Sequence, residues 1–98
     1  MALQIIWSPA AEADLENVLN YLKENWSKRI LVKFINKVED TTALLVEDPT
    51  LFPIINQELN IRKCVLTNQN TMFYRASKSK IEIIRLFDTR QNPKKLKF

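Results

Sequence analysis

This chain of 98 residues contains neither glycine nor histidine. Without glycine, phosphate-cradling glycine loops are excluded, and positive-φ positions must fall to asparagine or aspartate. Without histidine, the usual general base at neutral pH and the commonest metal ligand are both missing. The lone cysteine, Cys64, has no internal disulfide partner and lies in an apolar run, so it reads as a small core residue. One cysteine and no histidine argue against zinc, and neither a metal nor a cofactor is expected. No apolar run reaches membrane-spanning length, and the amino terminus lacks the basic-then-apolar pattern of a signal peptide. A cytoplasmic location with no membrane partner is the corresponding expectation.

What is present suffices for one folded domain spanning residues 1–98. Hydrophobic residues make up 46% and charged residues 27%, enough apolar material for a single core. The net charge of +4 is unevenly distributed. Residues 1–60 carry 5 Lys/Arg against 9 Asp/Glu, whereas residues 61–98 carry 10 against only Glu82 and Asp88. A cationic third of this kind suits a polyanion or an acidic protein surface.

Leu3–Trp7 reads as a short first strand. Ser8-Pro9 then marks a helix start, with serine at the cap and proline at the first helical position, where its missing N–H costs nothing. Leu15, Val18, Leu19, Leu22 and Trp26 keep helical spacing and predict one apolar stripe, with Asn25 as a left-handed terminator. Ser27 can cap a second helix, whose stripe runs through Leu31, Phe34, Ile35, Val38, Thr42 and Leu45. Asp48-Pro49 ends it, because the residue before proline is pushed out of the helical region. Residues 49–60 read as a loop with apolar anchors. Three strands follow, Ile61–Leu66, Thr71–Ser77 and Ile81–Phe87, and their short connections make them consecutive and antiparallel. The resulting α+β fold is β-α-α-β-β-β, a helical hairpin on one face of a small antiparallel sheet. The place of the first strand in that sheet is open.

The stretch Lys80–Pro93 organises this plan. Ile81, Ile83 and Phe87 alternate onto one face and Ile84 and Leu86 onto the other, which predicts the central strand of the sheet. That strand carries Arg85 and delivers Arg90 just beyond its end. Arg62 and Lys63 lie on the first of the three strands, and Tyr74 and Arg75 on the second. Arginine forks onto phosphate or carboxylate, and several on adjacent strands can converge on one anion. The candidate contacts are therefore Arg62, Lys63, Arg75, Arg85 and Arg90, with Lys94 and Lys95 in the basic tail; Lys78, Lys80 and the tail lysines otherwise read as solvated surface. Catalysis of RNA cleavage would need a base, charge stabilisation and an acid. Tyr74, Arg75, Arg85 and Arg90 are the candidates, but no base is marked by its spacing. The pattern supports anion binding better than a complete catalytic set.

The opening Ile-Ile-Trp-Ser-Pro-Ala-Ala-Glu-Ala-Asp-Leu at positions 5–15 resembles the start of RelE/ParE-family toxins. Phe73-Tyr74-Arg75, followed by the run from Ile81 to Pro93, resembles that family's carboxy-terminal half. The resemblance covers nearly the whole chain in order. It implies the toxin of a type II toxin–antitoxin, plasmid-stabilisation system that inhibits growth. The implied partners are a cognate antitoxin with an acidic or amphipathic segment and, as target, either DNA gyrase or the ribosome with its mRNA. Asp88 stands where many relatives carry a histidine before the final Arg-Gln. That, with the Ser-Pro opening and the Arg-Gln-Asn-Pro ending, places the resemblance nearer the gyrase-binding ParE branch. The alternatives are a RelE-like ribosome-dependent mRNA endonuclease and a non-toxic basic binding module.

Overall fold

The computed structural model describes residues 3–91, 94 and 96–98. Strand β1 (Gln4–Trp7) leads into helices α1 (Pro9–Asn25) and α2 (Lys28–Glu47). Strands β2 (Ile54–Asn56), β3 (Ile61–Thr67), β4 (Asn70–Ala76) and β5 (Lys80–Asp88) follow. Their order in the sheet is β1-β5-β4-β3-β2. Both helices start as the sequence predicts. The Ser8 hydroxyl accepts from the Ala11 amide at 3.0 Å, and the Ser27 hydroxyl from that of Ile30 at 3.3 Å. Each serine thus satisfies a donor that the first helical turn leaves without a partner.

The fold class is the expected one, and the structure adds detail. β2 is a short strand inside the segment expected to be loop, paired antiparallel to β3. The position left open by the sequence is resolved by β1 lying parallel to β5, with Ile5 opposite Ile81 and Trp7 opposite Ile83. The sheet is therefore mixed. β5 is interior, flanked by β1 and β4, but the expectation that it is the central strand is corrected: the added β2 on the far edge leaves β4 at the centre.

The main core lies between the helices and one sheet face. Ala11, Phe34, Val38 and Leu45 from the helices meet Cys64, Leu66, Met72, Tyr74, Ile81, Ile83 and Leu86. Cys64 is the buried core residue its context implied. A second cluster, Ile61, Phe73 and Phe87 with Ile84 and Leu96, covers the opposite face. The expectation that Phe87 shares a face with Ile81 and Ile83 fails for a local reason. Phe73 pairs with Arg85 but Tyr74 pairs with Ile83, so β5 advances two residues while β4 advances one. Ile84 is the extra residue of a β-bulge, and beyond it the alternation inverts. Leu86 then joins Ile83 under the helices, and Phe87 joins Ile84 on the other side.

Two further expectations are corrected. Trp26 does not belong to the buried stripe of α1; it is 56% exposed. Asn25 is not a left-handed terminator, since the capping residue Trp26 is extended, at φ −133° and ψ 176°. Among the described residues the left-handed position is Asn60, with φ 56°, which is how a glycine-free chain must make such a turn.

Candidate functional site

An open cleft of about 290 Å³ lies between α1 and the carboxy-terminal end of β5. Its helix wall is built by Asp14, Asn17, Val18 and Tyr21, residues three and four apart along one face of α1. Arg85, Asp88 and Arg90 line the strand side, and Gln69 and Asn70 the floor beyond the β3–β4 turn.

Asp14 ties the two walls together. Its carboxylate accepts from Arg85 Nε at 2.7 Å and Nη2 at 3.0 Å, and from the Leu86 backbone N–H at 3.0 Å. β1 pairs with β5 only as far as Ile83, so at Leu86 no strand lies on that side and a side chain supplies the acceptor. The fork-to-fork geometry makes this a strong charge-assisted pair, and Asp14 raises the Arg85 guanidinium above its ordinary value. Arg85 Nη1 also donates to the Lys97 carbonyl at 3.2 Å, bringing the tail to the site.

At the cleft mouth, Arg90 donates to Asp88 through Nε and Nη2, the latter at 2.8 Å, and through Nη1 to the Tyr21 hydroxyl at 3.4 Å. Its guanidinium also stands 5.0 Å from the centre of the Tyr21 ring, within cation–π range. Arg90 holds the Asp88 carboxyl below its ordinary value. Hydrogen bonds from Arg90 and then Trp26 lower the Tyr21 phenol. The acid at position 88 is thus neutralised by its own neighbour.

The other sequence candidates go elsewhere, and the expected convergence of several arginines on one anion does not occur. Arg62 donates to the carbonyls of Phe52 at 2.7 Å and Thr50 at 3.3 Å, clamping the loop before β2. Arg75 donates to the Leu59 carbonyl at 2.8 Å and reaches Glu82 at 3.5 Å. Lys63 is exposed on β3, opposite Phe73. Tyr74 is fully buried, donates to the Pro49 carbonyl at 2.8 Å, and is pushed up by burial. Lys94 is exposed, and Lys95 lies outside the described residues, as do Asn92 and Pro93. Sequence reasoning missed Asp14, Tyr21 and Asn70. The signal available was the polar line Asp14–Asn17–Tyr21 at helical spacing beside an apolar stripe. Among the described residues no group of three or more carboxylate or thiol side chains is placed to hold a metal.

The profile of the ParE toxin of type II toxin–antitoxin systems (parDE) matches residues 5–93. The chain belongs to the ParE toxin family. Solved structures share the fold at low identity. The chromosomal ParDE toxin–antitoxin system of P. aeruginosa superposes with a TM-score of 0.72 at 15% identity, covering 89% of this chain and 96% of that one. The YoeB dimer from Staphylococcus aureus gives 0.64 at 16%, covering 89% and 97%. The E. coli DinJ–YafQ toxin–antitoxin complex gives 0.63 at 12%, covering 92% and 96%. No curated protein matches in sequence. In this ParE-family chain no described helix is long and apolar enough to cross a membrane.

Proposed function

We propose that this ParE-family toxin inhibits growth by binding DNA gyrase, without hydrolysis, and is neutralised by a cognate antitoxin in the cytoplasm, in the manner of plasmid-stabilisation systems. The observation that supports binding over chemistry is the pairing inside the cleft. Asp14 is bound to Arg85, and both Asp88 and Tyr21 are bound to Arg90. A carboxylate held below its ordinary value is a poor proton acceptor, so Asp88 makes a weak general base. Tyr74 is out of reach in the core. What the cleft offers a partner is Arg90 at 47% side-chain exposure beside Tyr21 and Trp26, the residue types that carry most binding energy at protein interfaces.

One observation favours the second reading. The Tyr21 phenol beside Arg90 gives up its proton more readily than an ordinary tyrosine, which would suit a RelE-like endonuclease drawing on Tyr21, Arg85 and Arg90, the sequence candidates Tyr74 and Arg75 being engaged elsewhere. The experiment is expression without antitoxin, together with purified toxin in two assays: supercoiling by gyrase, and cleavage of mRNA on programmed ribosomes. Lost supercoiling with intact transcripts is expected, and Arg90→Ala should weaken gyrase inhibition roughly tenfold. Normal supercoiling with cut transcripts would establish the endonuclease instead. Unimpaired growth would leave a non-toxic basic binding module.

A further inference from the structure

The cleft between α1 and β5 is lined by two arginines and two carboxylates, Arg85 and Arg90 against Asp14 and Asp88, so these charges sum to zero. Every nitrogen of both guanidinium groups already has an acceptor within the chain. Arg85 uses Asp14 and the Lys97 carbonyl; Arg90 uses Asp88 and the Tyr21 hydroxyl. A phosphate or carboxylate entering the cleft would have to displace these partners. The polar groups left over are carboxamides. Asn17, Gln69 and Gln91 line the cleft, and among the described residues their side chains have no hydrogen-bond partner. Asn70 is different in kind, because it is only 8% exposed and its Oδ1 is without a donor. Its Nδ2 is held by the Thr67 hydroxyl at 3.3 Å. A buried acceptor left in that state is costly unless something supplies an N–H.

We infer that this cleft grips an uncharged, extended segment of the target protein through the segment's backbone. A carboxamide offers one acceptor and two donors, the complement of a peptide N–H and C=O. In this arrangement a backbone N–H of the segment donates to Asn70 Oδ1, and Asn17, Gln69 and Gln91 meet the neighbouring peptide groups. Spacing supports an extended conformation. Asn17 and Tyr21 are about 6 Å apart along α1, and a strand repeats its same-side backbone groups about every 6.6 Å. Size supports it too. One turn of an α-helix with its side chains, about 10 Å across and about 5.4 Å tall, fills about 420 Å³, more than the cleft's 290 Å³. Val18, Leu22 and Phe87 give the segment's side chains an apolar footing. Nucleic acid fits less well, since it needs cations that are free to neutralise phosphate. The inference rests on the gyrase reading only for the source of the segment.

The test is an array of acetylated, amidated hexapeptides, both an unbiased library and a set tiled across the gyrase subunits, probed with the intact labelled chain. Uncharged sequences should be selected, with binding that changes less than twofold between low and high salt. Methylating the anchoring backbone nitrogen of a selected peptide should weaken binding at least tenfold. Asn70→Ala should weaken it at least fivefold and Asn17→Ala about twofold, with thermal melts to confirm folding and Asn70→Ser as the milder variant. No selected peptide, a preference for acidic or basic sequences, indifference to backbone methylation or to both Asn70 variants, or salt-sensitive binding of a single-stranded RNA oligonucleotide in preference to peptide would each overturn the inference. Selected peptides are then added to the supercoiling assay. Relief of gyrase inhibition links the cleft to that target. Peptide binding by a chain that leaves gyrase untouched removes the gyrase reading and upholds the cleft's chemistry. Gyrase inhibition unchanged by Asn70→Ala, in a chain that selects no peptide, removes this inference alone.

Discussion

At the scale of single residues the site is a set of pairings, and their consequences are measurable. Asp14 serves three donors at once. Asp14→Ala removes a largely buried pair and strands both the Arg85 guanidinium and the Leu86 N–H. A loss of about 3 kcal/mol in urea denaturation is expected, with Asp14→Asn milder because the amide oxygen can still serve Leu86. The chain has only two tyrosines, and their environments pull in opposite directions. Arg90 favours the ionised Tyr21, so that phenol loses its proton at lower pH than an ordinary tyrosine. Burial disfavours the ionised Tyr74, so that one titrates later. Ultraviolet titration should show two separate steps, and Arg90→Ala should move only the earlier one, upward. Arg85 and Arg90 could be singled out in the sequence because strand and turn positions are local. Their partners Asp14 and Tyr21 are 71 and 69 residues away, and no local pattern reports that proximity.

At the scale of elements, caps and bulges decide what faces what. Ser8 was legible as a cap, but its hydroxyl has a second task. It donates to the Ile84 carbonyl at 2.7 Å, fastening the start of α1 to the bulge. Ser8→Ala is therefore expected to cost more than an ordinary cap, about 2 kcal/mol, read as a shift in the urea midpoint without a change of slope. The bulge itself was invisible in the sequence, since the run Ile81–Phe87 satisfies either face assignment. What selects the bulge is the pairing with β4, where Phe73 and Tyr74 must point to opposite clusters. Turn chemistry was more legible in kind than in place. The chain without glycine uses asparagine for its left-handed turn, at Asn60 rather than Asn25. The β3–β4 turn is held instead by the Thr67 hydroxyl, which accepts from the amides of Gln69 and Asn70.

At the scale of the whole molecule, the two ends of the chain close the structure. β1 adds to the far side of β5, so the first and last strands are neighbours. The tail then crosses the helix-free face, where Leu96 packs against the second cluster and the Phe98 ring meets Phe73 edge-on with centroids 5.1 Å apart. Leu96 and Phe98 are thus docked on the sheet. Phe98→Ala is expected to destabilise by about 1 kcal/mol in chemical denaturation, the scale of one partly exposed aromatic contact, and to raise amide exchange at the tail before that of β5. The sequence by itself determined the two capped helices, the three long strands, the family and the cationic carboxy-terminal third, because caps, periodicity and composition act over a few residues. Only the tertiary structure decided which cations matter together. Arg62 and Arg75 are spent on backbone carbonyls, and Arg85 and Arg90 are held by carboxylates. The reason is that a charge's partner is set by which distant elements pack beside it, and that packing follows from the parallel closure of β1 on β5 and the inverted alternation after Ile84.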